Sequence, residues 1–196
     1  MIEKLSKTIV TQWVKYKIVP SEAKASYYFG TQLLISTTLN FLLAIIISIS
    51  IAEPCYWLMF LLGFIPLRLS AGGYHAKSHS LCIIYFCLAF GLFGLISKLI
   101  LLSKTGTIVY TLCSATFSFL IVYWLSPISS PNKKLTIKQR NRNRAICIIL
   151  SVINWIFSVT ILHWFDTVPK NLIFYLSGEL LATVSIIFQV LFSSHS

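Results

Sequence analysis

Apolar residues fall in six long runs that are separated by short polar segments. The runs cover residues 31–52, 55–67, 81–102, 107–126, 145–165 and 169–192. A helix needs about 20 apolar residues to cross the hydrocarbon core of a bilayer, and all but the second run approach or exceed that length. At about 1.5 Å per residue the second run covers only about 20 Å, so it is either a short span or half of a re-entrant element. Pro66 near its end and the Gly72-Gly73 pair beyond it favour a broken or bent helix.

Residues 1–30 show a different pattern, in which polar and apolar side chains recur with helical spacing. One helical face collects the apolar positions Ile2, Leu5, Ile9, Trp13 and Tyr16. This predicts an amphipathic helix that lies in the membrane interface with its apolar side down. The alternative is a helix packed on the protein's own surface. We therefore divide the chain into an interfacial region, 1–30, and a single membrane domain, 31–196.

The composition is that of a chain solvated mainly by lipid. Hydrophobic residues make up 57% of the sequence and charged residues 11%, whereas a soluble globular protein carries about 25% charged residues. The predicted fold class is all-α, a polytopic integral membrane bundle of about six transmembrane or re-entrant helices after the interfacial helix. Most of the cysteines lie in apolar runs, where a thiol behaves as a small hydrophobe, so we expect no structural disulfide.

Positive charge is concentrated on one side of the predicted membrane domain. The formal net charge is +11. If all six runs cross, the segments that share one side carry most of the lysines and arginines; these are 1–30, 68–80, 127–144 and 193–196. The positive-inside rule places that side, with both termini, in the cytoplasm. Because the charges lie between apolar runs, topology and contact with anionic membrane lipid explain them better than nucleic acid binding does.

The segment 127–144 is the only long polar linker, and we expect it to be a basic cytoplasmic loop. Pro127 and Pro131 should end the fourth spanning helix, and a basic run from Lys133 to Arg144 follows. This run is either an anchor for anionic lipid head groups or a docking surface for an acidic partner or substrate. The two roles are compatible.

Many of the polar and reactive residues in this mostly apolar chain lie in the stretch Arg68–Cys82, RLSAGGYHAKSHSLC. Gly72-Gly73 offers backbone N–H groups that can hold an anion such as an oxyanion. An unperturbed histidine has a pKa near neutrality, so His75 is suited to act as a general base. Ser80 is a candidate N-cap of the next helix, which would put Cys82 in the first helical turn, where the helix dipole favours the thiolate.

A catalytic pair of His75 and Cys82 needs a turn between the two residues. On one straight helix they would stand about 10 Å apart along the axis, whereas a base and its nucleophile must come within hydrogen-bond reach. Ser78–Ser80 contains turn and cap formers, so we expect a loop carrying His75 to fold back over the start of the helix. A pair shared between two subunits would satisfy the same constraint.

Three other interpretations use the same stretch. His75, His79 and Cys82 could bind zinc if they lay on one continuous helix. A loop at the membrane interface could carry these residues without any chemistry. A transporter for a small solute or peptide could use the broken second run as a substrate site, although Glu179 is the only charged residue deep in a run. No third residue that would orient His75 is identified.

Two stretches of this chain resemble one known family. Arg68, Gly72-Gly73, His75-Ala76 and Cys82 resemble the core motif of the accessory gene regulator B (AgrB) family, and SPISSPNKKLT resembles its second recognisable stretch. The length, the six runs and the amphipathic N-terminus agree with that family. The resemblance implies a membrane-embedded cysteine endopeptidase of Gram-positive bacteria. Such a protein cuts a short quorum-sensing propeptide, AgrD, on the C-terminal side of the future ring and closes a thiolactone or, occasionally, a lactone.

The resemblance also implies roles for individual residues. Cys82 is the implied nucleophile and His75 the implied base. Arg68 and Gly73 match positions that the family needs for activity, and Lys133-Lys134 matches its basic stretch that handles the peptide. The family suggests a homodimer, and it implies no cofactor and no metal.

Overall fold

The computed structural model of the protein describes residues 2–72, 79–128, 136–165 and 167–193. Within these ranges the chain is helical and has no strand, which confirms the predicted all-α class. A short 3-10 turn, Ser21–Ala23, precedes the second helix. The α-helices are α1 (Ile2–Lys15), α2 (Lys24–Ser50), α3 (Tyr56–Ala71), α4 (His79–Ile100), α5 (Lys104–Leu125), α6 (Ile137–Trp164) and α7 (Lys170–Ser193).

Five of these helices, α2 and α4 to α7, are long and apolar enough to cross a membrane, and α3 is a shorter apolar helix. This confirms the prediction of a polytopic helical membrane protein whose second apolar run is short. Large apolar side chains such as Leu88, Leu99 and Trp124 are exposed on the spanning helices, as expected where the surrounding solvent is lipid.

The polar linker is shorter than predicted, because α6 begins at Ile137. A capping box starts this helix. Thr136 Oγ1 accepts a hydrogen bond from the Gln139 N–H at 3.3 Å, and Gln139 Oε1 accepts one from the Thr136 N–H at 3.1 Å. The exposed basic side chains from Lys138 to Arg144 are therefore carried by the first turns of a helix, so the prediction of a loop throughout 127–144 was wrong.

The described residues form two compact units. One contains α1, most of α2 up to Ile47 and the first half of α4 up to Phe90. The other contains the chain from Ser48 to the end of α3 and everything from Gly91 onward. The division into an interfacial region, 1–30, and a membrane domain stays a prediction.

In the first unit, α1 buries a narrow ridge formed by Ile2, Ser6 and Val10, which recur every four residues. Leu5 and Tyr16, which share the predicted apolar face with Ile2, are 50% and 70% exposed. The helix thus buries one edge while keeping apolar surface exposed. Contact of that surface with the membrane interface stays a prediction.

In the second unit, α3 runs parallel to α7, and glycines allow their backbones to touch. A side chain at Gly63 would collide with the Tyr175 carbonyl, and one at Gly178 would collide with the Phe60 carbonyl. Small residues at such positions are how membrane helices approach closely without a hydrophobic driving force. Helix α5 packs against both α6 and α7 to complete this bundle.

The short helix α3 is unbroken, although it contains a proline. It continues through Pro66 to Ala71 and ends at Gly72, so the break that Pro66 and the glycine pair favoured does not occur at Pro66. The Ser70 hydroxyl donates to the Pro66 carbonyl at 3.0 Å within the last turn. Packing of α3 along α7 offsets the backbone hydrogen bond that a proline cannot donate.

The two ends of the second unit are joined by different contacts. At one end Lys170 Nζ lies 3.0 Å from Glu53 Oε2, and Lys98 Nζ donates to the Ile51 carbonyl at 2.7 Å. At the other end the last turn of α3 contacts α7 and the segment after α5. Helices α3 and α7 therefore both run from one end of the second unit to the other. This favours a short span over a re-entrant element for α3.

Candidate active site

The predicted site residues are only partly within the described residues. Arg68 and Gly72 lie at the end of α3, and Cys82 lies near the start of α4. Gly73, His75, Lys133 and Lys134 lie outside the described residues. Of the predicted turn Ser78–Ser80, Ser78 also lies outside them, whereas His79 and Ser80 belong to α4, so the prediction of a turn at those two residues was wrong. The distance between base and nucleophile therefore stays a prediction.

Cys82 lies in the first described turn of α4, and its side chain is half-buried. Ser80 is itself helical, so the prediction that it caps the helix was wrong. Placement of the thiol in the first turn does not depend on that cap. The other cysteines differ in exposure, since Cys147 is buried and Cys55 is exposed, and all five are reduced.

Arg68 joins the end of α3 to α7. Its Nη1 atom donates to the Gly72 carbonyl at 2.8 Å and to Ser185 Oγ at 3.1 Å. The Ser185 hydroxyl in turn donates to the Ala182 carbonyl at 2.6 Å. The guanidinium is half-buried and always charged, so it stabilises these neutral acceptors with charge-assisted hydrogen bonds.

Gly72 ends α3 in a backbone conformation that only glycine adopts readily, with φ 79° and ψ −148°. A Cβ atom there would lie 2.7 Å from the Ile128 carbonyl oxygen. The Gly72 N–H already donates to the Arg68 carbonyl at 3.2 Å, so in this structure it completes the helix end. The oxyanion role expected for the glycine pair stays a prediction.

A backbone hydrogen bond brings the two family-like stretches together. The Ile128 N–H donates to the Ala71 carbonyl at 2.9 Å. Ile128 belongs to SPISSPNKKLT, and Ala71 belongs to RLSAGGYHAKSHSLC. The start of the segment between α5 and α6 is therefore fixed against the end of α3, beside Gly72. Nothing in the sequence pattern indicated this contact, because it pairs two backbone groups that are far apart in the chain.

Further polar groups lie in the middle of the second unit. Ser177 Oγ lies 2.9 Å from Ser97 Oγ and 2.8 Å from the Tyr110 hydroxyl. The Tyr175 hydroxyl donates to Asn154 Oδ1 at 2.8 Å. These bonds join α4, α5, α6 and α7, as expected of buried polar side chains in a membrane bundle.

Glu179 of α7 is almost completely buried, and its Oε2 atom has no hydrogen-bond partner among the described residues. It lies six residues before Ser185, about 9 Å along the helix axis. It therefore lies in the interior of the bundle and not at the end of α3.

The described residues contain no group of three histidine, cysteine or acidic side chains placed to hold a metal. The zinc alternative needs His75, which lies outside the described residues, and the side chain of His79 is not described either. That alternative is therefore not tested by the geometry.

Comparison with known proteins identifies the family. The sequence model of the Accessory gene regulator B (AgrB) family matches residues 2–193. No curated protein and no solved structure matches the chain. Because the match covers nearly the whole sequence, including both family-like stretches and all seven described helices, the chain belongs to the AgrB family of multi-pass cell-membrane proteins, which process a quorum-sensing propeptide of the AgrD type.

Proposed function

We propose that the protein is a membrane cysteine endopeptidase that cleaves its AgrD-type propeptide through a thioester on Cys82 and then closes the product to a thiolactone. The family match carries this proposal, because it covers both family-like stretches, RLSAGGYHAKSHSLC and SPISSPNKKLT. The position of Cys82 supports it, because a half-buried thiol in a first helical turn is accessible to a peptide and benefits from the helix dipole.

In the first step His75 takes the proton of the Cys82 thiol, and the thiolate attacks the scissile carbonyl carbon. Backbone N–H groups at the glycine pair or at the start of α4 hold the developing oxyanion. The C–N bond then breaks, and the imidazolium gives its proton to the leaving amine. The C-terminal fragment departs, and the N-terminal fragment remains as a thioester on Cys82.

In the second step the cysteine of the propeptide attacks that thioester. A new C–S bond forms within the peptide, the bond to Cys82 breaks, and Cys82 recovers its proton. One thioester is exchanged for another, so ring closure needs no ATP. Water must be kept from the intermediate, because hydrolysis would give a linear peptide. A site at the membrane boundary favours that exclusion.

The basic segment with Lys133 and Lys134 binds the acidic tail of the propeptide in this proposal. The Ile128–Ala71 hydrogen bond supports it, because it holds the start of this segment at the end of α3. His75 lies only three positions after Gly72, a chain length of at most about 10 Å. A propeptide docked on the basic segment is then close to the catalytic loop. We also propose a homodimer with a cytoplasmic catalytic loop and contact with anionic lipid.

Alkylation rates test whether Cys82 is activated. Two variants would each keep one cysteine, Cys82 or the exposed Cys55, and would react with iodoacetamide in detergent at pH 7. An ordinary thiol is only about 3% thiolate at that pH, so an activated Cys82 should react about tenfold faster than Cys55 although it is less exposed. His75→Ala should remove that advantage. A rate for Cys82 equal to or below that of Cys55 would contradict activation.

A further inference from the structure

We propose that Ser185 of α7 is a positioning residue for the cleavage reaction, acting through Arg68 on the Gly72 carbonyl. This proposal rests on the proposed function, because it concerns the loop that carries His75 from the end of α3 to Cys82. Ser185 lies 117 residues from Arg68 in the chain and outside both family-like stretches.

Hydrogen bonds link Ala182, Ser185, Arg68 and Gly72 in a chain, and the direction of each bond in it is fixed. The Ser185 O–H donates to the Ala182 carbonyl at 2.6 Å, so its oxygen lone pairs remain for Arg68. Arg68 Nη1 carries two hydrogens, and it has two acceptors in Ser185 Oγ at 3.1 Å and the Gly72 oxygen at 2.8 Å. The Nη1 atom of Arg68 thus connects Gly72, which ends α3, to Ser185 of α7.

The surroundings make α7 a rigid support for this contact. Ala182 and Ile186, which flank Ser185, belong to a buried cluster that also contains Leu67 and Ala71 of α3. Side chains packed in such a cluster have few alternative positions. The hydroxyl is therefore presented to Arg68 from a fixed place.

The held carbonyl is at the point where the chain leaves α3 for the catalytic loop. A peptide unit is planar, so fixing the Gly72 oxygen fixes the orientation of the whole unit that leads into the loop. Without Ser185 the guanidinium keeps its charge but loses its hydrogen bond to α7. The loop then samples more arrangements, and fewer of them place the base and nucleophile for reaction.

A serine that only fastens α3 to α7 would affect stability, whereas a positioning residue affects turnover. The matched variants are Ser185→Ala, Ser185→Thr and the control Ser118→Ala. Threonine keeps the hydroxyl, and in a helix it can bond a preceding carbonyl as Ser185 does. Ser118 is likewise in a helix and is buried, but its hydroxyl makes no hydrogen bond among the described residues.

The experiment measures cleavage of the propeptide encoded beside the gene by the reconstituted full-length protein, with thermal unfolding in detergent alongside. We expect Ser185→Ala to lower kcat about 10- to 100-fold, the loss typical of a hydrogen bond to a charged group. KM and the unfolding midpoint should stay close to wild type. Ser185→Thr should restore most of kcat, and Ser118→Ala should match wild type.

Two results would overturn the proposal. One is a wild-type kcat for Ser185→Ala. The other is a loss of kcat accompanied by a lowered unfolding midpoint in both Ser185 variants, which would make the contact a structural fastening. Cys82→Ala in the same assay separates this from the proposed function. If Cys82→Ala still cleaves, the nucleophile is wrong, whereas an inactive Cys82→Ala beside a fully active Ser185→Ala refutes only the positioning role.

Discussion

Replacing Gly72 with alanine should nearly abolish propeptide cleavage while leaving the helical bundle folded. The φ of 79° and ψ of −148° lie in a region that is essentially restricted to glycine, and holding alanine there costs about 1–3 kcal/mol. The new Cβ would lie 2.7 Å from the Ile128 oxygen, where ordinary van der Waals contacts begin at 3.4 Å. Crowding of that kind costs about 1–3 kcal/mol more.

The chain can relieve this combined cost, about 2–6 kcal/mol, by releasing the end of α3. Release breaks the Ile128–Ala71 hydrogen bond and the contact of Arg68 with the Gly72 carbonyl. A difference of 1.4 kcal/mol is about tenfold in population, so a cost of about 2 kcal/mol already lowers the ratio of native to released loop entry about 30-fold relative to wild type. The close contacts of Gly63 and Gly178 between α3 and α7 lie away from this end, so the helical bundle should stay folded.

The assay compares the initial cleavage rates of wild type, Gly72→Ala and Gly30→Ala at equal amounts of folded protein. Gly30 lies inside α2, and a Cβ there would meet no atom within 4 Å. Alanine favours a helix interior by about 1 kcal/mol over glycine, so Gly30→Ala should be as active as wild type and slightly more stable. Cleavage by Gly72→Ala within twofold of wild type would refute the reasoning, because it would mean that the glycine conformation and its contact with Ile128 are not needed.

Three further predictions concern packing, helix capping and substrate docking. Gly178→Ala should lower the thermal unfolding midpoint in detergent, because its Cβ would collide with the Phe60 carbonyl and force α3 away from α7; an unchanged midpoint would contradict the close packing. Thr136→Ala should cost about 1 kcal/mol at the start of α6, seen as about fivefold faster amide hydrogen exchange in that first turn, and unchanged exchange would mean that the capping box contributes nothing. Changing Lys133 and Lys134 to glutamate should raise the propeptide concentration needed for half-maximal cleavage, and changing acidic residues of the propeptide tail to lysine should restore it; cleavage unaffected by the first change would exclude docking there.

The seven α-helices of the described residues and their order could be predicted from the sequence, because α1 has an amphipathic pattern and each of the others contains one apolar run. The end of α3 at Gly72 was also predictable, since a glycine pair after a helical run is a strong local signal. The continuity of α3 through Pro66 was not predictable, because the cost of the proline is local, while the packing that offsets it comes from α7, more than 100 residues later. The start of α6 was missed because basic residues between apolar runs suggest a loop, although Thr136 and Gln139 have the capping-box spacing.

In the candidate site, too, some features could be predicted from the sequence and others could not. Arg68, Gly72 and Cys82 are evident from residue type and spacing within one stretch of the chain. The partner of Arg68 is not, because a lone serine in an apolar helix usually bonds a preceding carbonyl of its own helix, and Ser185 does that as well. The same holds for the contact between Ala71 and Ile128. Contacts between distant backbone groups depend on how the helices pack, and a single sequence records no such pairing.

The most direct test of the central claim is mass spectrometry of the propeptide after co-expression with the protein and, separately, with its Cys82→Ala variant. We predict a truncated peptide that is one water lighter than the linear fragment, formed only with the wild-type protein. A truncated peptide with the mass of the linear fragment would show cleavage without ring closure and would contradict the thioester exchange. An unchanged full-length peptide with the wild-type protein, confirmed in the membrane, would contradict the proposed endopeptidase altogether.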